Sequence, residues 1–181
     1  MPNFIFGMYN TLGDMDEKTE NYWRILQTNL DWIKYSDAKA TGLLTVYGVL
    51  VTVAFSNKDA FVGILHSRPL VFILTLTVVV SLLAIFYGFR CISPRLKTPS
   101  HVSMIFFGSI VSNFKSMEDY REFSHKLLNS KVGIDDELAR QIYINATIAA
   151  AKFRDVSLSI RYFIISFLLL MLEIFIFLIE N

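Results

Sequence analysis

The first residue that could do chemistry here is an acid inside an apolar run: Glu173 interrupts YFIISFLLLMLEIFIFLIE toward its far end. An ionised carboxylate is costly in hydrocarbon, so it faces protein or water, or else reaches out to the interface. A second constellation is Thr41, Thr45, Gly48 and Thr52, spaced four, three and four. That spacing sets small and hydroxylated groups on one helix face, where another helix can pack or a wet path can form in an oligomer. Thr77 and Ser81 echo it. The third is Asp37-Ala-Lys39-Ala. Residues two apart on a helix do not face each other, so Asp37 and Lys39 must each find another partner, headgroup and ligand both being open to Lys39. Arg95, Lys97, Lys152 and Arg154 are cations of the kind that mark a cytoplasmic face, and the kind an anionic ligand would need.

Other chemistry is absent from the sequence. There is no G-x-x-x-x-G-K-S/T, H-E-x-x-H, C-x-x-C or G-x-S-x-G, so the chain is read as a non-enzyme. His66, His101 and His125 are scattered, and Cys91 is the single cysteine. No metal site, disulfide or cofactor is therefore expected. A net charge of +1 gives no footprint for a nucleic acid polymer, and 54% hydrophobic with 18% charged residues excludes disorder.

The elements that position these residues follow from where the apolar excess lies. Residues 40–57 and 69–89 carry no formal charge, and 162–179 carry only Glu173. A hydrocarbon core of about 30 Å needs roughly twenty helical residues, so each run predicts a transmembrane helix. A soluble bundle is disfavoured because the second run has no polar face. MPNFIFGMYN has no basic n-region, so no cleaved signal peptide is expected. Of seventeen Lys and Arg, four lie in 1–39, two in 58–68 and eleven in 90–161. The positive-inside rule places the N-terminus and 90–161 in the cytoplasm, with the 58–68 turn and the C-terminus outside. The expected fold is an all-α, multi-pass membrane protein: three spans and a helical cytoplasmic domain made of the N-terminal segment and 90–161.

Ahead of the first span, Tyr22, Leu26, Leu30 and Ile33 predict an amphipathic helix running unbroken into the membrane. Pro94 and Pro99 end the second span, and MIFFGSIVSNF packs nearby as strand or helix. Ser116-Met-Glu-Asp119 is a capping-box variant opening a helix whose Met117, Tyr120, Phe123 and Leu127 share a face. Gly133 is expected to divide this from a last helix with Asp135, Asp136 and Glu137 in its first turn. From there Ile134, Leu138, Ile142, Ala146, Ala149, Phe153, Val156 and Ile160 form one stripe, predicting a single helix over 134–179.

DWIKYSDAKATGLLTVYGVL resembles the entry to the first span of the transmembrane effectors of Pycsar, the bacterial pyrimidine cyclase antiphage systems. SPRLK, IFFGSI, EDYREF and ELARQIYINATIAAAKFRDVSLSIRYF follow in that family's order, over about residues 22–179. The resemblance implies a bacterial inner-membrane effector, partnered with a nucleotide cyclase. It would sense cyclic UMP or cyclic CMP on its cytoplasmic side and impair the membrane, causing abortive infection. It marks Asp37, Lys39, Arg95, Phe106, Phe107, Gly108, Tyr120 and Lys152 for test: an aromatic ring for the base and a cation for the cyclic phosphate. Three spans cannot easily enclose a pore, so a homo-oligomer is expected. The rival reading is a constitutive membrane anchor or accessory subunit whose cytoplasmic helices bind a partner protein.

Overall fold

A computed structural model describes residues 17–58, 67–94 and 103–180. Among these the chain is helical and has no strand: α1 (Glu17–Ser56), α2 (Arg68–Ile92), α3 (Phe107–Asn113), α4 (Met117–Leu128) and α5 (Lys131–Glu180). Arg95 lies outside the described residues, as do residues 1–16 and most of the 58–68 turn. Three helices, α1, α2 and α5, are long and apolar enough to cross a membrane. The described residues form two compact units, one from 17–31 with 103–147, the other from 32–58, 67–94 and 148–180. Both α1 and α5 contribute to each.

The second unit is a three-helix bundle in which one set of buried positions recurs every seven residues. On α2 they are Leu70, Thr77, Ala84 and Cys91; on α5, Lys152, Ser159, Ser166 and Glu173; on α1, Ala40 and Tyr47. A seven-residue repeat keeps one seam of a helix facing its partners through a gentle left-handed coil. Close approach is met by small groups. Gly88 of α2 faces Leu44 and Ser159, where a built Cβ would stand 3.2 Å from Leu44 Cδ2 and 3.4 Å from Ser159 Oγ. Pro69 sits in the first turn of α2, where its missing N–H costs nothing.

In the first unit, Leu26 is buried and Tyr22 and Leu30 half-buried, as the amphipathic spacing predicts. MIFFGSIVSNF contains the short helix α3. Ser116 caps α4, its Oγ accepting from the Asp119 N–H at 3.1 Å. Of the predicted α4 face, Tyr120, Phe123 and Leu127 are half-buried, whereas Met117, in the first turn, is exposed.

Two expectations are corrected. Gly133 does not divide the last two helices: α5 starts at Lys131 because Ser130 Oγ accepts from the Gly133 N–H at 3.2 Å, an N-cap three residues earlier than read. Asp135, Asp136 and Glu137 therefore fall after its first turn. Phe153 is exposed rather than part of the packed stripe, because the seven-residue seam turns Lys152 and Val156 inward instead. The face of Thr41, Thr45, Gly48 and Thr52 points outward from the single chain, since Tyr47 holds the inward position. Thr45 and Thr52 satisfy their hydroxyls on the carbonyls of Thr41 and Gly48, one turn back.

Candidate functional site

At the end of α2, in the second unit, two polar pairs are closed between helices. Lys152 is 5% exposed, which a charged side chain tolerates only with partners. Its Nζ donates to Asp37 Oδ1 at 2.5 Å and to the Cys91 carbonyl at 2.6 Å. The second contact satisfies a carbonyl in the last turn of α2, where no helical N–H follows to take it. The buried Cys91 thiol lies 3.5 Å from the Lys152 carbonyl and 3.6 Å from that of Ser36. One turn on, Asp155 is fully buried and takes both Arg90 Nε at 3.0 Å and Nη2 at 2.6 Å, a two-pronged bond.

Along the bundle interior the polar residues continue. Ser159 Oγ donates to the Ala84 carbonyl at 2.7 Å, and Ser166 Oγ lies 2.8 Å from Tyr47 Oη. Glu173 is 3% exposed, and among the described residues neither of its carboxyl oxygens has a hydrogen-bond partner.

Beside Asp37, Lys39 Nζ sits 4.2 Å from the centre of the Tyr35 ring, a cation–π contact. Asp37 and Lys39 thus have separate partners, as their spacing requires. Trp32 lies edge-on to both Tyr35 and Phe153. A shallow apolar notch is walled by Trp32 and Phe153 and floored by Ala149 and Ala150.

The remaining candidates belong to the first unit. Phe106 is half-buried and lies over Gly108, where a built Cβ would meet Phe106 Cε1 at 2.8 Å. Any larger residue there would push the Phe106 ring aside. The side chain of Phe107 is outside the described residues. Tyr120 packs edge-on to Phe114 at 5.4 Å, and Phe114 also meets Phe123 at 5.1 Å. Glu137 is buried and accepts from Ser103 Oγ at 3.0 Å and from the Met104 N–H at 2.6 Å. Thr19 and Lys18 both reach Asp135, at 2.8 and 2.9 Å, and hold its carboxyl below the usual carboxylate range, Lys18 contributing most.

The structure therefore joins Asp37 to Lys152 and sets Lys39 beside Tyr35, while Phe106 and Tyr120 belong to the other unit. Sequence reasoning missed Arg90, Asp155, Ser159 and Ser166. The signal was present: Lys152, Ser159, Ser166 and Glu173 are each seven apart, and Asp155 stands three after Lys152. Among the described residues no cluster of His, Cys, Asp and Glu could hold a metal ion.

Known proteins place this arrangement. The family model described as a Pycsar effector protein domain matches residues 21–179, a range that takes in all three membrane helices and the segment between the second and third. The Pycsar effector protein PtPycTM of Propioniciclava tarda is 28% identical over 145 residues, covering 75% of this chain and 68% of that protein. No solved structure matches.

Proposed function

Since the chain belongs to the Pycsar effector family, and so acts as an effector in antiphage defence, we propose that it senses a cyclic pyrimidine mononucleotide, cyclic UMP or cyclic CMP, and then impairs the inner membrane. The observation that carries this reading is the extent of the family match, which includes both the membrane helices and the polar segment between them. The messenger would come from a partner cyclase.

The bundle supports a sealed resting state. Ala40, Leu70, Ala84 and Val156 are buried within it, and the Asp37–Lys152–Cys91 and Arg90–Asp155 contacts tie all three helices at one end. A messenger that binds the open arrangement better shifts the balance toward it; equal affinity for both would shift nothing. Lys39, Phe106 and Tyr120 are the positions to test for direct contact, while Asp37 and Lys152, bonded to each other, act by holding the helices. The segment 90–161 and the N-terminal segment face the cytoplasm, where the messenger is made, and the C-terminus lies outside.

The active form is a homo-oligomer. The outward Thr41, Thr45, Gly48 and Thr52 face supports it: a Cβ built at Gly48 or the neighbouring Gly42 meets nothing within 4 Å, leaving room for the close approach that small residues permit. The test is a thermal-shift series on detergent-solubilised protein with cyclic UMP, cyclic CMP, cyclic AMP and cyclic GMP. Stabilisation by one pyrimidine nucleotide alone is the expected result. No shift with either pyrimidine nucleotide refutes the sensing step.

A further inference from the structure

Two hydrogen bonds fix how α2 and α5 run past each other. Lys152 meets Cys91 and Ser159 meets Ala84, so seven residues along one helix match seven back along the other. Continued, this antiparallel register sets Thr77 level with Ser166 and Leu70, in the first turn of α2, level with Glu173. The Tyr47–Ser166 contact carries α1 alongside in parallel, placing Ala54 at the Glu173 level. Four α5 residues spaced seven apart on this seam are polar and buried: Lys152 at 5%, Ser159 at 1%, Ser166 at 4% and Glu173 at 3%. Twenty-one residues separate the first from the last, about 32 Å of helix at 1.5 Å per residue, against a hydrocarbon core of about 30 Å. The file is thus as long as the core is thick, with Lys152 and Ser159 before the apolar run 162–179 and Ser166 and Glu173 within it.

Each member but one has a partner. Lys152 has Asp37, Ser159 has a carbonyl and Ser166 has Tyr47. Glu173 is enclosed at a level where Leu70 and Ala54 are the matching residues, and neither carboxyl oxygen is bonded among the described residues. Among the described residues of the three spans no other charged side chain lies within the apolar runs: the only titratable side chain in 40–57 is Tyr47 and in 69–89 Tyr87, and 162–179 adds only Tyr162. Lys58 and Arg68, at the helix ends, are exposed. A bare carboxylate in that setting is far costlier than a neutral carboxylic acid.

We propose that Glu173 is a proton-binding site inside the membrane, the acid of a polar file along which this protein lets protons cross. In the sealed bundle the hydroxyls of Ser159 and Ser166 sit on residues about 10 Å apart along the helix, too far for direct transfer. Loosening of the bundle admits water between them and completes the path. The proton site stands on geometry alone; the conduction step rests on the messenger-gated reading above.

The probe for the site is dicyclohexylcarbodiimide, an apolar reagent that adds to protonated carboxyls, applied to the full chain in lipid vesicles and read by mass spectrometry. Labelling of Glu173 that falls as pH is raised is expected; an unlabelled Glu173 in acid overturns the proposal. The probe for conduction is proton entry into vesicles holding a pH-sensitive dye, with cyclic UMP or cyclic CMP, for wild type and Glu173→Gln. Loss of most proton entry in Glu173→Gln, with unchanged helix content and melting temperature, supports the file. Proton entry and release of a bulky dye that are both undiminished in Glu173→Gln overturn it while the messenger-gated reading stands. No flux of any kind in wild type, with Glu173 labelled, upholds the proton site and refutes the messenger-gated reading instead.

Discussion

Removing Asp37 should cost more than removing Lys152, although the two form one pair. Lys152 is the more deeply buried partner, its side chain 6% exposed against 35% for Asp37. Asp37→Ala strands a buried ammonium with only the Cys91 carbonyl for company, and an uncompensated buried charge costs about 3–5 kcal/mol. The low end applies, about 3 kcal/mol, because water reaches the vacated Asp37 position. Lys152→Met strands a carboxylate that can hydrate and leaves the Cys91 carbonyl unpaired, a loss of about 1–2 kcal/mol. The double variant removes both charges and should fall near Lys152→Met, well above Asp37→Ala. For a chain of this length about 3 kcal/mol lowers the melting temperature by about 6–12 °C. Unfolding of the four proteins in one detergent, followed by circular dichroism, completes the cycle. If the two single losses are equal and add in the double variant, the residues are not coupled and the helix tie at this end is refuted.

Other outcomes follow from single contacts. Ser130→Ala removes the cap that starts α5 and should cost about 1 kcal/mol, seen as faster hydrogen exchange confined to the first turn after Lys131. Gly88→Val should cost about 1–3 kcal/mol by driving a side chain into Leu44 and Ser159, measured as a lower melting temperature than for wild type. Asp135, with its depressed folded-state value, stabilises the first unit above the ordinary carboxylate range, and that contribution is lost as pH falls through the folded value. Asp135→Asn should therefore be less stable than wild type at neutral pH, with the gap closing in acid; a gap independent of pH contradicts the assignment. Cys91 is fully buried, so a maleimide should label it only after unfolding.

The three spans were legible because length and hydropathy alone demand them, and the capping of α4 because Ser116 and Asp119 stand at the required spacing. What could not be read was which side of each membrane-spanning stretch turns inward. In α1 the small-residue face turns outward in the single chain, and the large Tyr47 points inward with its hydroxyl on Ser166 across the bundle. In α5 the apolar stripe and the buried polar file share nearly one face. Only the carbonyls, small residues and Asp37 supplied by α1 and α2 make burial of Lys152, Ser159 and Ser166 tolerable, and those belong to distant stretches of sequence. Gly133 failed as a boundary for a local reason: Ser130, three residues earlier, is the better cap. Asp37 and Lys39 could be told apart from each other by spacing, but their actual partners, Lys152 and Tyr35, needed the fold.

On the proposed function, a cyclic pyrimidine nucleotide makes this membrane protein breach the bilayer. The most direct test is an imposed membrane potential across vesicles containing the purified chain, followed with a potential-sensitive dye while cyclic UMP, cyclic CMP, cyclic AMP or cyclic GMP is added to the side the 90–161 segment faces. The potential should collapse with one pyrimidine nucleotide and hold with both purines. A potential that holds against both pyrimidine nucleotides, or collapses equally with all four, contradicts it.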